Sequence, residues 1–150
     1  MYTSGYFKGF TSGQIHMLKT GIQWVNGCLE DSSFREFFLQ RNFTFTGDAP
    51  SQIFNTLNTS HCLNFRAFRP RWYHFRKKNV RAWVNKYKDP HLIHINTKIM
   101  APKYFKSVAG TIAHEAAHLQ GYGHGDNSPS TPGYNNAVPV KYGKMVRYHG

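Results

Sequence analysis

The sequence predicts an α+β fold in a single domain, and three segments carry the prediction. Residues 14–30 place Ile15, Leu18, Ile22, Val25 and Leu29 at three- and four-residue steps, which is one face of a helix. Residues 91–100 alternate as a strand does, with Ile93, Ile95, Thr97 and Ile99 on one side and Leu92, His94, Asn96 and Lys98 on the other. Residues 103–120 return to helical spacing through Val108, Ile112, Ala116 and Leu119, with no proline inside. A chain of 150 residues suits one domain, and its apolar and aromatic content is enough for a core.

Taken in order, the first helix has Ser12 as its expected N-cap. Residues 33–40 read as a short helix. Residues 42–46 alternate phenylalanine with polar side chains and read as a strand ending at Gly47-Asp48. Residues 50–57 read as another helix. From Arg66 to Lys88 there are nine Lys or Arg and no acid, interleaved with Phe68, Trp72, Tyr73, Phe75, Trp83 and Tyr87. A pair of strands with aromatics inward and arginines solvated is the favoured reading of that segment. An anionic partner bound through residues 66–88, nucleic acid included, is the other, although no helix-turn-helix, zinc-finger or RNA-recognition signature accompanies it. Pro102 precedes the 103–120 helix and Gly121 follows it, the usual asymmetry of helix ends. Ala109, Ala113, Ala116 and Ala117 are small enough for that helix to pack closely on a sheet. Residues 125–139 read as a loop, and residues 138–146 bring the chain back beneath the helix.

Nineteen basic against seven acidic residues give a formal charge of +12. Such a charge steers the protein toward nucleic acid, anionic lipid or envelope polymers, or acidic protein substrates, and does not bear on fold. No run of eighteen or more apolar residues exists, so no transmembrane segment is expected. The first ten residues lack a basic start followed by an apolar stretch, so no signal peptide is expected in this chain. Cys28 and Cys62 can form one disulfide or remain two thiols; neither is near the segment described next.

Residues 114–124 read H-E-x-x-H-x-x-G-x-x-H. Histidines four apart on a helix point the same way, so His114 and His118 can reach one metal ion. Glu115 can lie beside the ion's open position as a general base. Gly121 lets the helix stop and the chain reverse, bringing His124 round as a third ligand. Three protein ligands leave a fourth place for water, the arrangement of a catalytic zinc. In this composition H-E-x-x-H alone arises by chance roughly once in a hundred chains, and the full pattern below about once in ten thousand. The plain alternative is a histidine-rich helix whose rings satisfy ordinary hydrogen bonds. His16, His61, His74, His91, His94 and His149 lack ligand spacing and read as surface or cleft residues.

This stretch resembles the zinc-binding signature of the metzincin metallopeptidases. The resemblance implies a metzincin-like zincin: a twisted mixed sheet, a backing helix, an active-site helix and a very small C-terminal subdomain. Residues 1–124 would form the upper subdomain and 125–150 the lower. It implies Zn2+ held by His114, His118 and His124, Glu115 as catalytic base, and peptide-bond hydrolysis. The 91–100 strand would be the edge strand that pairs with an extended substrate. A methionine in a tight turn below the metal is a further family trait, and Met145 is either that residue or a plain core contact. The expected protein is a monomeric zinc endopeptidase acting on protein or peptide, secreted or periplasmic. Its rivals are a DNA-associated zinc protease, an effector cleaving one host protein, and a non-enzymatic zinc module binding nucleic acid or anionic envelope polymers.

Overall fold

The computed structural model describes residues 1–69, 80–100, 105–125 and 129–150. Among them are four strands, β1 (Tyr2–Lys8), β2 (His61–Phe68), β3 (Ala82–Asn85) and β4 (Asp89–Asn96). Five helices accompany them: α1 (Ser12–Glu30), α2 (Ser32–Leu39), α3 (Pro50–Leu57), α4 (Phe105–Leu119) and α5 (Val138–Tyr148). The sheet is mixed, in the order β1-β2-β4-β3, with β1, β2 and β4 parallel and β3 antiparallel to β4. The α+β class is therefore as expected.

Helix α1 forms where its apolar spacing predicts, burying Leu18, Ile22, Val25 and Leu29. Each fully buried side chain of this size contributes about 1.5–3 kcal/mol before entropy offsets it. The cap is Thr11, not Ser12. Thr11 wins because Gln14 stands three residues on and closes a capping box: Gln14 N–H donates to Thr11 Oγ1 at 3.3 Å and Thr11 N–H to Gln14 Oε1 at 3.0 Å. Asp31 caps α2 through the amides of Ser33 and Phe34, and its other oxygen meets His149 at 2.9 Å. The Ser33 hydroxyl first, and His149 next, hold the Asp31 carboxyl down to about 2. Helix α3 occupies residues 50–57 as read.

Three strand expectations change. Residues 42–46 form no strand: Thr44 makes one bridge to Ala137, and Phe45 has φ 60°, a left-handed conformation that no strand accommodates. The 91–100 strand stops at Asn96, whose side chain accepts the Lys98 N–H and turns the chain into a 3-10 helix, Thr97–Ile99. That strand, β4, is also internal, because β3 pairs along its other side; among the described residues β3 is the edge. Within the basic segment, β2 and β3 are strands but not neighbours, since β4 separates them. Phe65 is fully buried and Arg66 and Arg69 are exposed, as the strand reading requires, while residues 70–79 lie outside the described residues.

The core joins Leu18 and Val25 of α1, Ile53 and Leu57 of α3, Leu63, Phe65, Ile93 and Ile95 of the sheet, and Ile112 of α4. Helix α4 packs mainly against α5 and α1, with β3 and β4 as lesser neighbours, so its alanines serve helix contacts more than sheet contacts. Two polar ties lock this trio. Trp24 Nε1 donates to Val146 O at 2.9 Å, and Lys106 Nζ donates to the His149 and Gly150 carbonyls at 3.0 and 2.7 Å. Cys28 is buried and Cys62 exposed, both as free thiols. No described helix is long and apolar enough to cross a membrane.

Candidate metal centre

Helix α4 is buried almost all round, from Val108 to Ala117, which fixes both its rotation and its axial position. His114 and His118 therefore leave the helix one turn apart on a single face. The helix ends as Gly121 predicts. Gly121 has φ +100°, its N–H donates to His118 O at 3.0 Å, and Tyr122 N–H donates to Ala117 O at 3.1 Å, the paired bonds of a Schellman cap. The same turn then acts on the site. Tyr122 O accepts from His118 Nδ1 at 2.8 Å, so the bend that closes the helix also fixes the His118 ring.

Past the bend the chain returns His124 to its partners. The ligand-capable atoms of His114, His118 and His124 all lie within 4.8 Å of one another. Ring centroids are 4.9 Å apart for His114–His118, 4.7 Å for His118–His124 and 5.6 Å for His114–His124. Phe45, in its left-handed conformation, packs against Gly125 and braces the return; a Cβ on Gly125 would lie 2.9 Å from its ring.

The protons in this cluster are compatible with a cation. Burial first, and the neighbouring His118 and His124 rings next, push His114 down to about 3. Burial does the same to His118, to about 4, and lowers His124. All three rings are neutral at pH 7, the form that ligates metal. A neutral ring has one N–H. His118 spends its own on Tyr122 O, and His114 hydrogen-bonds the Pro139 carbonyl. Their Nε2 atoms nevertheless face each other at 3.2 Å. At that distance one ring donates to the other or, with both lone pairs turned inward, a cation between them is favoured. His124 Nδ1 is buried without a partner, a further unmet polar atom at the same place. The three-histidine cluster can hold a metal ion.

Glu115 stands beside it at 6% exposure, and burial pushes its carboxyl up to about 8. A cavity of about 370 Å³ touches His114 and Glu115 on the α5 side. A second, of about 850 Å³, touches the same two residues together with His118 and His124 and runs along β3. Tyr134 lines both, its ring 5.0 Å from that of His124. Nothing in the local sequence pattern marks Tyr134, Arg147 or β3 as neighbours of this centre; each arrives through long-range packing. Met145 sits within α5 at 8% exposure and is in no turn. The remaining described histidines lie elsewhere: His16 on α1, His149 on Asp31, His61 beside His91 at 5.2 Å, and His94 stacked on Trp83 at 3.6 Å. His74 lies outside the described residues.

His118→Ala is the direct test of the cluster. It is expected to weaken metal binding by more than the roughly 10–100-fold that follows loss of an outer-shell partner. Metal content after dialysis reads the effect, and an unchanged stoichiometry would remove His118 from the ligand set. Comparison with models of protein families, with curated proteins and with solved structures finds no match to this chain.

Proposed function

We propose that the protein is a zinc-dependent endopeptidase of metzincin-like build. The observation that carries the proposal is a buried carboxyl, Glu115, standing next to a three-histidine cluster and open to clefts on both sides. Three neutral imidazoles are a donor set suited to zinc, with a fourth position left for substrate or water. The 3.2 Å between the His114 and His118 nitrogens supports it, since two nitrogens on a tetrahedral zinc stand about 3.3 Å apart. Bound zinc supplies a Lewis acid that acidifies water and polarises a carbonyl.

The chain's own residues carry the rest. Glu115 takes the proton of the attacking water and passes it to the leaving amine, base turning acid. Tyr134, beside His124, offers a phenol toward the oxygen on which charge develops. Among the described residues β3 ends the sheet and borders the larger cavity, so an extended peptide laid along that cavity would run beside it. That role moves from the 91–100 strand to Ala82–Asn85, which borders the larger cavity.

A mixed-sequence peptide library incubated with zinc-loaded protein tests the reading by mass spectrometry. Cuts that vanish with chelator and return with zinc are expected. No cuts at full zinc occupancy would overturn a general peptidase, and salt-sensitive retention on DNA would then favour the nucleic-acid-binding rival.

A further inference from the structure

We propose that the cavity on the α5 side of His114 and Glu115 is a subsite for a substrate carboxylate, gripped by Arg147 together with Arg81 and Lys144. The proposal rests on the peptidase reading and names the substrate class of the same site. Of the charged side chains that the described residues place on this cavity wall, three are cations, and the single carboxyl is Glu115. Among the described residues Lys86 is the one lysine or arginine on the larger cavity past His124, against three on the α5 side.

Arg147 is held there by backbone. It crosses α4 at Gly110, where an added Cβ would lie 3.0 Å from Arg147 Cβ and 3.3 Å from its Nε. Only the missing side chain at position 110 lets the guanidinium pass. Its Nε is buried with no hydrogen-bond partner, and the one ion pair among the described residues, His149–Asp31, does not involve it. A buried charged donor left unmet costs more than a neutral one, so an anion met by the part of the guanidinium that lines the cavity would offset that cost. Arg81 approaches with Nη1 anchored on Ser107 Oγ at 2.8 Å, which positions its fork and leaves other N–H groups free. Lys144, exposed, is steadied by Asn135 Oδ1 at 2.8 Å. Planar guanidinium forks match carboxylates in a two-point grip.

A peptide lying along β3 can bring a carboxylate to this cavity in two ways: an Asp or Glu side chain, or its own C-terminus. The experiment separates them. Acetylated, amidated peptides differing only by Glu or Gln stepped through each position, and a matched pair with free or amidated C-terminus, are offered to the zinc-loaded protein at about 0.15 M salt. The readout is the kcat/KM ratio where peptides are cut and the Kd ratio where they are not.

In one register Glu is expected to exceed Gln by about tenfold or more, as loss of a charge-assisted pair implies. Arg147→Gln is expected to collapse that ratio, and Lys144→Glu, an exposed change, to narrow it without disturbing the fold. A preference confined to the free C-terminus, and lost in Arg147→Gln, assigns the grip to the chain end. Equal handling of Glu and Gln, with no preference for a free C-terminus, overturns the subsite. So does a preference that survives in Arg147→Gln, because net charge alone would then explain it. An Arg147-dependent preference in binding, with no peptide cut, upholds the subsite and overturns the peptidase reading.

Discussion

Glu115→Ala is expected to keep its metal and lose peptide hydrolysis by roughly 10²–10⁴-fold, the usual contribution of a positioned acid–base group. The two halves of this expectation have separate causes. Metal retention follows because the three imidazoles and their carbonyl partners, Tyr122 and Pro139, do not depend on the carboxyl. Loss of turnover follows because Glu115 is the only carboxyl among the described residues that touches the two cavities at the centre. Burial raises it to about 8, so without metal it is mostly protonated at neutral pH. A divalent cation next to it favours the carboxylate, the form a base needs. Glu115→Gln separates chemistry from shape, since the amide fills the same space and cannot take a proton. Metal content, melting temperature and kcat/KM on one library-derived peptide suffice. A variant that cuts like wild type removes Glu115 from the mechanism, and one that loses its metal makes it a structural residue.

What was legible in the sequence was local, and what was hidden was not. The helix carrying His114 and His118, its stop at Gly121 and the return to His124 could be read because each rests on a few consecutive residues with strong backbone preferences. Capping was legible in kind and wrong by one residue, since Thr11 and Ser12 are equivalent until Gln14 chooses between them. Strand β1 escaped because only Tyr2 is buried along it, so no alternation marks it. The edge strand was misassigned because β4 has the better pattern, and being internal is a property of its neighbours. Phe45 defeated the strand reading of residues 42–46 through a left-handed φ that nothing in Phe-Thr-Phe-Thr announces. Helix α5 went unread in the sequence, although Val138, Tyr142, Met145 and Val146 keep helical spacing, with Pro139 in the first turn. Its partner could not be read, because the contact joins Gly110 to Gly143, thirty-three residues apart.

That contact supports the second large expectation: Gly143→Ala should destabilise the fold and loosen the metal together. A Cβ at Gly143 would stand 2.6 Å from Gly110 O and 3.1 Å from His114 Cβ. Neither neighbour is the far end of a flexible side chain, so α5 itself must retreat from α4. Overpacking of this kind costs typically about 1–3 kcal/mol. In a chain of this size that lowers Tm by up to about 10 °C. The retreat also carries away the Pro139 carbonyl that meets the His114 ring, and with it the ring's orientation. Metal affinity should therefore fall by about 10-fold or more, although position 143 holds no ligand. Gly27→Ala is the matched control. It makes the same chemical change in α1, where a Cβ meets nothing within 4 Å. There the lost chain entropy favours the folded state, by about 0.4–1 kcal/mol. Opposite signs for one substitution at two glycines cannot come from helix propensity, which favours alanine at both. If Gly143→Ala melts and binds metal as wild type does, the α4–α5 crossing does not hold His114. If stability falls while metal affinity stays, the crossing serves the fold alone and the ring is held by the metal.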